Sequence, residues 1–451
     1  MLDPARARPA GPVVVLGGGI AGLAAASHLR GAGWQVLVIE RNAQSGGMHR
    51  ARHIGPYTFD IGPIFYEEDA RLFGLAPGLR ELCPTVMRQQ RRIAPGGAVR
   101  HYPFAPRESL GLPLPELARA MLDLAWSRLT VRRDGTLDAI SRRHLGRRFF
   151  ENTGLSSYIT RFHHTAPGRI DEAFFFHRMA FVERFTRPGT LARLALRTLL
   201  PGRPESRPGR PPLRVRPREG FAPLFERITA HLAAQGVEFR FGEALLALRR
   251  EGPGFMVHTT SGTWCAEELV STIPLDTLHR AMFGTGSGLV SLDMTSLFLS
   301  ARRLDPRLGN VLYNFDRRGE WKRATIYSRI YPEPATGREF LSVEATIAQG
   351  GTHDPQKTFA DFRRHMEDLG LAEDLALEGH EHVASCYPLY TPGSHAVIGQ
   401  RLRRIAQSGV VLAGRQGRFE YLPTSSRVIE RVIEELDKAA PVAVLADMTP
   451  R

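Results

Sequence analysis

The 451-residue chain is poor in two residue types, and each scarcity narrows what it can be. Cysteine occurs three times, at Cys83, Cys265 and Cys386, far apart and in no ligand or redox spacing. That excludes a disulfide framework and a zinc site, and it fits reduced thiols in a cytoplasmic chain. Lysine also occurs three times, at Lys322, Lys357 and Lys438, so the formal net charge of +14 is carried almost wholly by arginine. No apolar run of the ~18 residues that a membrane span needs is free of charge or glycine. No nucleic-acid motif is present either, and aromatics are not interleaved with a basic stripe. The positive charge therefore points to an anionic or lipid-like small molecule, or to peripheral contact with headgroups at the inner membrane face.

What is present begins with "VVVLGGGIAGLAAASHL", residues 13–29, preceded by Arg6 and Arg8. A secretory leader has this look, but it ends at a cleavage site. Here the run passes through three glycines into a second strand-like stretch, Trp34 to Ile39, closed by Glu40. The order strand (Val13 to Leu16), turn (Gly17 to Gly19), helix (from Ile20 to Gly31), strand predicts a parallel pair with a crossover helix. Gly17, Gly19 and Gly22 form G-x-G-x-x-G. The first glycine allows the tight turn, the second admits a pyrophosphate, and the third lets helix pack on strand. Ile20 and Ala21 open the helix whose N-terminal amides face the phosphates. Glu40 stands where an acid takes the ribose hydroxyls. This is a dinucleotide site.

Further along, residues 108–200 have helical spacing in "ELARAMLDLAWSRL" and "AFFFHRMAFVERF". Residues 187–218 carry nine arginines, seven prolines and one glutamate, and read as an exposed linker or a flexible arm. Within them "LARLALRTLL" has the pattern of a helix that packs on its own domain or lies on an anionic membrane. Strand candidates fill 291–347, a helix comes near 355–369, and "GVVLAGRQGRFEYLPTSSRVIERVIEEL" reads strand, turn, helix. The predicted organisation is α/β: a Rossmann-type FAD-binding domain interleaved with an α+β substrate domain. Cofactor segments are expected at 1–107, 215–278 and 385–451, and substrate segments at 108–214 and 279–384.

The fingerprint alone does not separate NAD from FAD, but the blocks downstream of it do. "ERNAQSGGMHR", "FDIGP", "GVEFRFGEALLAL", "STIPLDTL", "CYPLY" and "AGRQGRFEYLPTSSRVI" come in an order that resembles the FAD-dependent amine oxidase and protoporphyrinogen oxidase superfamily. The last block resembles the branch near UDP-galactopyranose mutase. The resemblance implies a glutathione-reductase-like cofactor domain. It also implies that Glu40 and Arg41 lie along the adenosine half with Gly46, Gly47 and Met48, and that Leu245 meets the adenine. Gly62 and Pro63 would pass the flavin ring, Gly414 and Arg415 the ribityl-pyrophosphate, and the helix start at Ser425 the pyrimidine. Ser425 and Ser426 read equally as helix caps. Two mutase features are replaced, a histidine by Ile64 and an acidic cluster by Pro423, Thr424 and Ser425.

Hydride transfer to a flavin needs orientation more than an acid or a base. Candidate orienting side chains are Tyr387, Tyr421 and Arg323, with Tyr313 and Tyr327 behind them. Arg323 aligns with a mutase arginine that faces substrate phosphate, and its plain alternative is a solvated strand end. Lys322 resembles the amine-oxidase lysine that holds a water near the flavin. His163 and His164 read as structural. The expected activity is an FAD-dependent oxidase or desaturase. The alternatives are a redox-neutral isomerase of mutase type and a non-catalytic flavin-fold carrier.

Overall fold

In the computed structural model, residues 11–61, 64–104, 114–178, 189, 211–331 and 336–439 are described. Strand β1 (Val13–Leu16), helix α1 (Ile20–Gly31) and strand β2 (Val36–Glu40) form in the predicted order, β2 starting two residues after the expected Trp34 and taking in Glu40. β1 and β2 pair in parallel, with Val13 opposite Val36. Three later strands join them in one wholly parallel sheet, ordered Val237–Phe241, β2, β1, Glu268–Ser271, Val411–Leu412.

The apolar run of β1 is continuous because both faces of the sheet are covered. Val13, Val15, Val36 and Val38 pack into a core with α1 and the helices Ala222–Ala234 and Ser425–Ala439. Val14, Leu16, Leu37 and Ile39 face the opposite way, onto Leu248, Phe255 and Val257 of a three-stranded antiparallel meander. Helix α1 lies tight on the turn before it. A Cβ at Gly22 would come within 1.7 Å of the Gly17 carbonyl oxygen, so only glycine fits there.

A second, seven-stranded sheet runs Ala372–Pro388, Ser291–Leu304, Glu339–Ile347, Arg323–Ile326, Val311–Asn314, Gln90–Ile93, Val99–His101. Its pairings are antiparallel except that between Val311–Asn314 and Gln90–Ile93. Strands from residues 90–101 thus belong to this sheet, and the strand Ala372–Pro388 runs across the expected segment boundary at 384. Helices Leu114–Thr130, Leu137–Leu145, Arg147–Asn152, Leu155–His163 and Ala173–Arg178 make up the described part of the helical region. An aromatic core joins that region to the second sheet through Phe162, Phe174, Tyr313 and Phe315.

One expectation needs correction. The end of the arginine- and proline-rich stretch is not an exposed linker: Leu213–Val215 pairs with two short strands, and the Arg216 side chain is fully buried. Its guanidinium donates to both Asp60 carboxylate oxygens at 2.8 and 2.9 Å and to three backbone carbonyls. Composition pointed to solvent, but a buried carboxylate took the charge in. "LARLALRTLL" lies outside the described residues.

Candidate functional site

The glycine turn after β1 meets the second glycine pair directly. The Gly46 amide donates to the Gly18 carbonyl at 2.9 Å, and Gly19 and Gly46 form a parallel bridge. A Cβ on Gly47 would stand 3.1 Å from the Gly19 Cα. Bare backbone therefore faces bare backbone at the start of α1, a cradle that side chains would fill. That is the observation on which the chain fits a dinucleotide pyrophosphate. Ile20 is buried and Ala21 half-buried in the first turn of α1.

Glu40 closes β2 with its carboxylate over the same turn. One oxygen accepts from the Gly18 amide at 2.6 Å, and the other accepts from the Asn42 amide and side chain at 2.9 and 2.6 Å. The Gly242 and Glu243 amides donate to the carbonyls of Asn42 and Glu40, and Leu245, two residues on, packs half-buried against the core that holds Leu37 and Ile39. Arg41 is exposed there, and Met48 is half-buried against the main core. Gly62 and Pro63 lie outside the described residues.

Gly414 comes to the same place from the C-terminal part of the chain. Its φ is +73°, and a Cβ on it would lie 2.5 Å from the Ala21 Cβ. Glycine is required by both conformation and approach. The next residue, Arg415, points away from the turn toward the second sheet. Its guanidinium lies 5.5 Å from the Tyr387 ring and 5.9 Å from the Tyr421 ring, and it donates to the Cys386 carbonyl. Arg415 Nε is buried without a protein acceptor among the described residues, which fits a donor meant for a bound group. Ser425 begins the last helix, but the capping hydroxyl is that of Thr424, which accepts from the Arg427 amide at 3.3 Å. Ser426 Oγ instead accepts from the Arg71 amide.

Behind Tyr387 lies a buried charge cluster. Lys322 Nζ donates to the Tyr387 hydroxyl at 2.7 Å and to Glu344 at 2.9 Å. It also sits 4.8 Å from the Phe162 ring centroid, and Phe162 packs edge-on to Tyr387 at 5.0 Å. The other Glu344 oxygen takes two donors from Arg323. Burial pushes the Glu344 carboxyl up, but Arg323 and Lys322 outweigh it and hold the group down at about 2. Burial pulls the Arg323 guanidinium down, and Glu344 more than reverses this, so its proton is held more tightly than usual.

The structure thus brings Tyr387 and Tyr421 together around Arg415, next in the chain to Gly414, with Arg323 behind Tyr387 through Glu344 and Lys322. Arg323 is no solvated strand end. Tyr327 is not part of the group: its hydroxyl accepts from the Asp60 amide and pairs with Ser342 in the Arg216 core. Tyr313 is half a step away, stacked on Tyr102 at 3.8 Å. His163 and His164 bond the Ile159 and Thr346 carbonyls, as structural residues do. Glu344 escaped the sequence reading. Its signal was a lone acid inside "FLSVEATI", a run otherwise fit for burial. The apolar residue Ile64 is 2% exposed in the main core.

FAD, when bound, supplies the two-electron acceptor that such a site needs. The sequence pattern of the family "Flavin containing amine oxidoreductase" matches residues 20–323. Shorter likenesses join the chain to 1-hydroxycarotenoid 3,4-desaturase of Flavobacterium sp. (strain P99-3), 47% identical over 53 residues, 12% of this chain and 11% of that protein. Phytoene dehydrogenase of Streptomyces griseus is 49% identical over 55 residues, again 12% and 11% of the two chains. These matches span about a ninth of each relative. Among solved structures, reduced UDP-galactopyranose mutase superposes with a TM-score of 0.76 at 18% identity, covering 98% of this chain and 96% of its own. A protein described as a protoporphyrinogen oxidase from Exiguobacterium sp. 255-15 gives 0.71, also at 18%, covering 96% and 99%. These two show a shared fold. With the family pattern covering more than half its length, the chain belongs to the flavin-containing amine oxidoreductases, and its cofactor is FAD.

Proposed function

We propose that the protein is an oxidase or desaturase that removes a hydride from a largely apolar metabolite. In this reading Gly17, Gly19, Gly22, Glu40, Gly47 and Gly414 hold the cofactor, and Tyr387, Tyr421 and Arg415 orient the substrate against it. The observation that carries it is the pairing of the cations behind the site. Lys322 and Arg323 are both spent on Glu344, and Lys322 also on Tyr387. With those two cations neutralised, Arg415 is left as the one guanidinium of the group beside Tyr387 and Tyr421, fewer than a doubly charged sugar diphosphate calls for, whereas Phe162 and Tyr387 offer an aromatic wall. The local likeness to two proteins described as a carotenoid desaturase and a phytoene dehydrogenase supports the same reading. Reduced cofactor would be returned to its oxidised state by oxygen or another acceptor.

The test is anaerobic mixing of oxidised holoprotein with amines, polyenes and UDP-galactose in turn, watching the oxidised flavin band. Bleaching by an amine or a polyene without added reductant is expected. Turnover of UDP-galactose only after dithionite reduction, with no net electron transfer, would overturn the proposal in favour of an isomerase.

A further inference from the structure

Among the described residues, the helix Leu114–Thr130 packs by one side only. Leu124 and Ser127 are buried against the helices that come after it, and Asp123 accepts from the Arg148 amide at 2.8 Å. The opposite side carries Ala118, Leu122, Ala125 and Leu129 at successive helical turns, flanked by Met121 and Trp126, all exposed. Leu122 is 71% exposed, Trp126 68% and Leu129 83%. Single exposed apolar residues are ordinary, but a charge-free stripe of six along one helix marks an interaction face.

The surroundings of the stripe indicate its partner. Arg119 borders it beside Trp126, Arg128 borders it beside Met121, and Arg132 comes just after the last turn, while Glu116 and Asp123 lie off it. Across residues 114–178 eleven arginines face seven acids. A second copy laid face to face would set one arginine-bordered stripe against another with no acid on either border, which like charges oppose. An anionic lipid surface complements both parts: acyl chains take the leucines, the interface takes the tryptophan, and headgroup phosphates take the exposed Arg119 and Arg132. Among the described residues no helix is long and apolar enough to cross a membrane, so the contact would lie in the surface plane.

We infer that this face docks the protein onto an anionic lipid bilayer. The experiment uses the full-length holoprotein with phosphatidylcholine vesicles, with and without phosphatidylglycerol, read by co-sedimentation. Binding to the phosphatidylglycerol vesicles is expected, weakening with added salt. The double variant Leu122→Gln with Leu129→Gln should bind roughly tenfold less while keeping its FAD. Trp126 emission, isolated by subtracting a Trp126→Phe variant, should shift to the blue only when phosphatidylglycerol vesicles are added. Three results would overturn the inference. They are no sedimentation with anionic vesicles, sedimentation unchanged in the double variant, and a lipid-free dimer that the same variant abolishes.

Discussion

Lys322 holds the hydroxyl of Tyr387 at 2.7 Å while its ammonium sits 4.1 Å from the centre of the same ring. One cation therefore fixes both the tilt and the position of the aromatic side chain that faces Arg415. Replacing Tyr387 by Phe keeps the wall and removes the anchor. The rate of flavin reduction by substrate should fall roughly 10- to 100-fold, as loss of positioning does, with FAD content unchanged. Stopped-flow absorbance measures it, and an unaltered rate would remove Tyr387 from the site.

The Glu344 cluster predicts an order of stabilities. Glu344→Gln strands two cations in a buried place and should cost about 3–5 kcal/mol. Lys322→Met leaves Glu344 still paired with Arg323 and should cost less. Urea unfolding of the two variants checks the ranking, and the reverse order would mean that Arg323 does not neutralise the carboxylate.

Two glycines of the fingerprint should fail in different ways. The nearest atom to a Cβ on Gly19 is 3.6 Å away, so Gly19→Val should fold and emerge without FAD. A Cβ on Gly22 collides with the Gly17 carbonyl, so Gly22→Ala should lose stability as well as cofactor. Flavin absorbance and circular dichroism separate the outcomes. A yellow Gly19→Val protein would show that the pyrophosphate lies elsewhere.

His49 predicts a pH dependence. Burial, with Arg415 nearby, lowers its pKa from 6.5 to about 4. The folded protein thus holds the ring neutral where an unfolded chain would take a proton. Its contribution to stability is whole above pH 6.5 and is lost as pH falls toward 4, by at most about 1.4 kcal/mol per unit. Urea midpoints of wild type should drop across that window more steeply than those of His49→Phe. Parallel curves would exclude the histidine as the source.

The N-terminal half of the cofactor site was legible because its physics is local. Strand, turn, helix and acid are fixed by contacts within some thirty residues, and β1, α1 and β2 form in the order that spacing predicts. The Lys322, Glu344 and Tyr387 cluster was not, because distant segments of one sheet bring it together and each residue alone has an ordinary explanation. Arg216 misled for the same reason: its local composition was that of a linker, and its partner Asp60 lies 156 residues away. The hydroxyl that caps the last helix belongs to Thr424 rather than the serines after it, a one-residue shift that spacing does not resolve.

The meeting of Ala21 with Gly414 joins residues far apart along the chain. A ribosome makes the first half of the cofactor cradle early and the second late. During synthesis the N-terminal turn waits, with the face of its strand away from α1 uncovered, for partners that do not yet exist. FAD then meets a complete cradle only after the last strand of the parallel sheet has left the exit tunnel. Capture of the cofactor becomes a late act of folding, and a chain truncated before Gly414 would be colourless even with its glycine fingerprint intact.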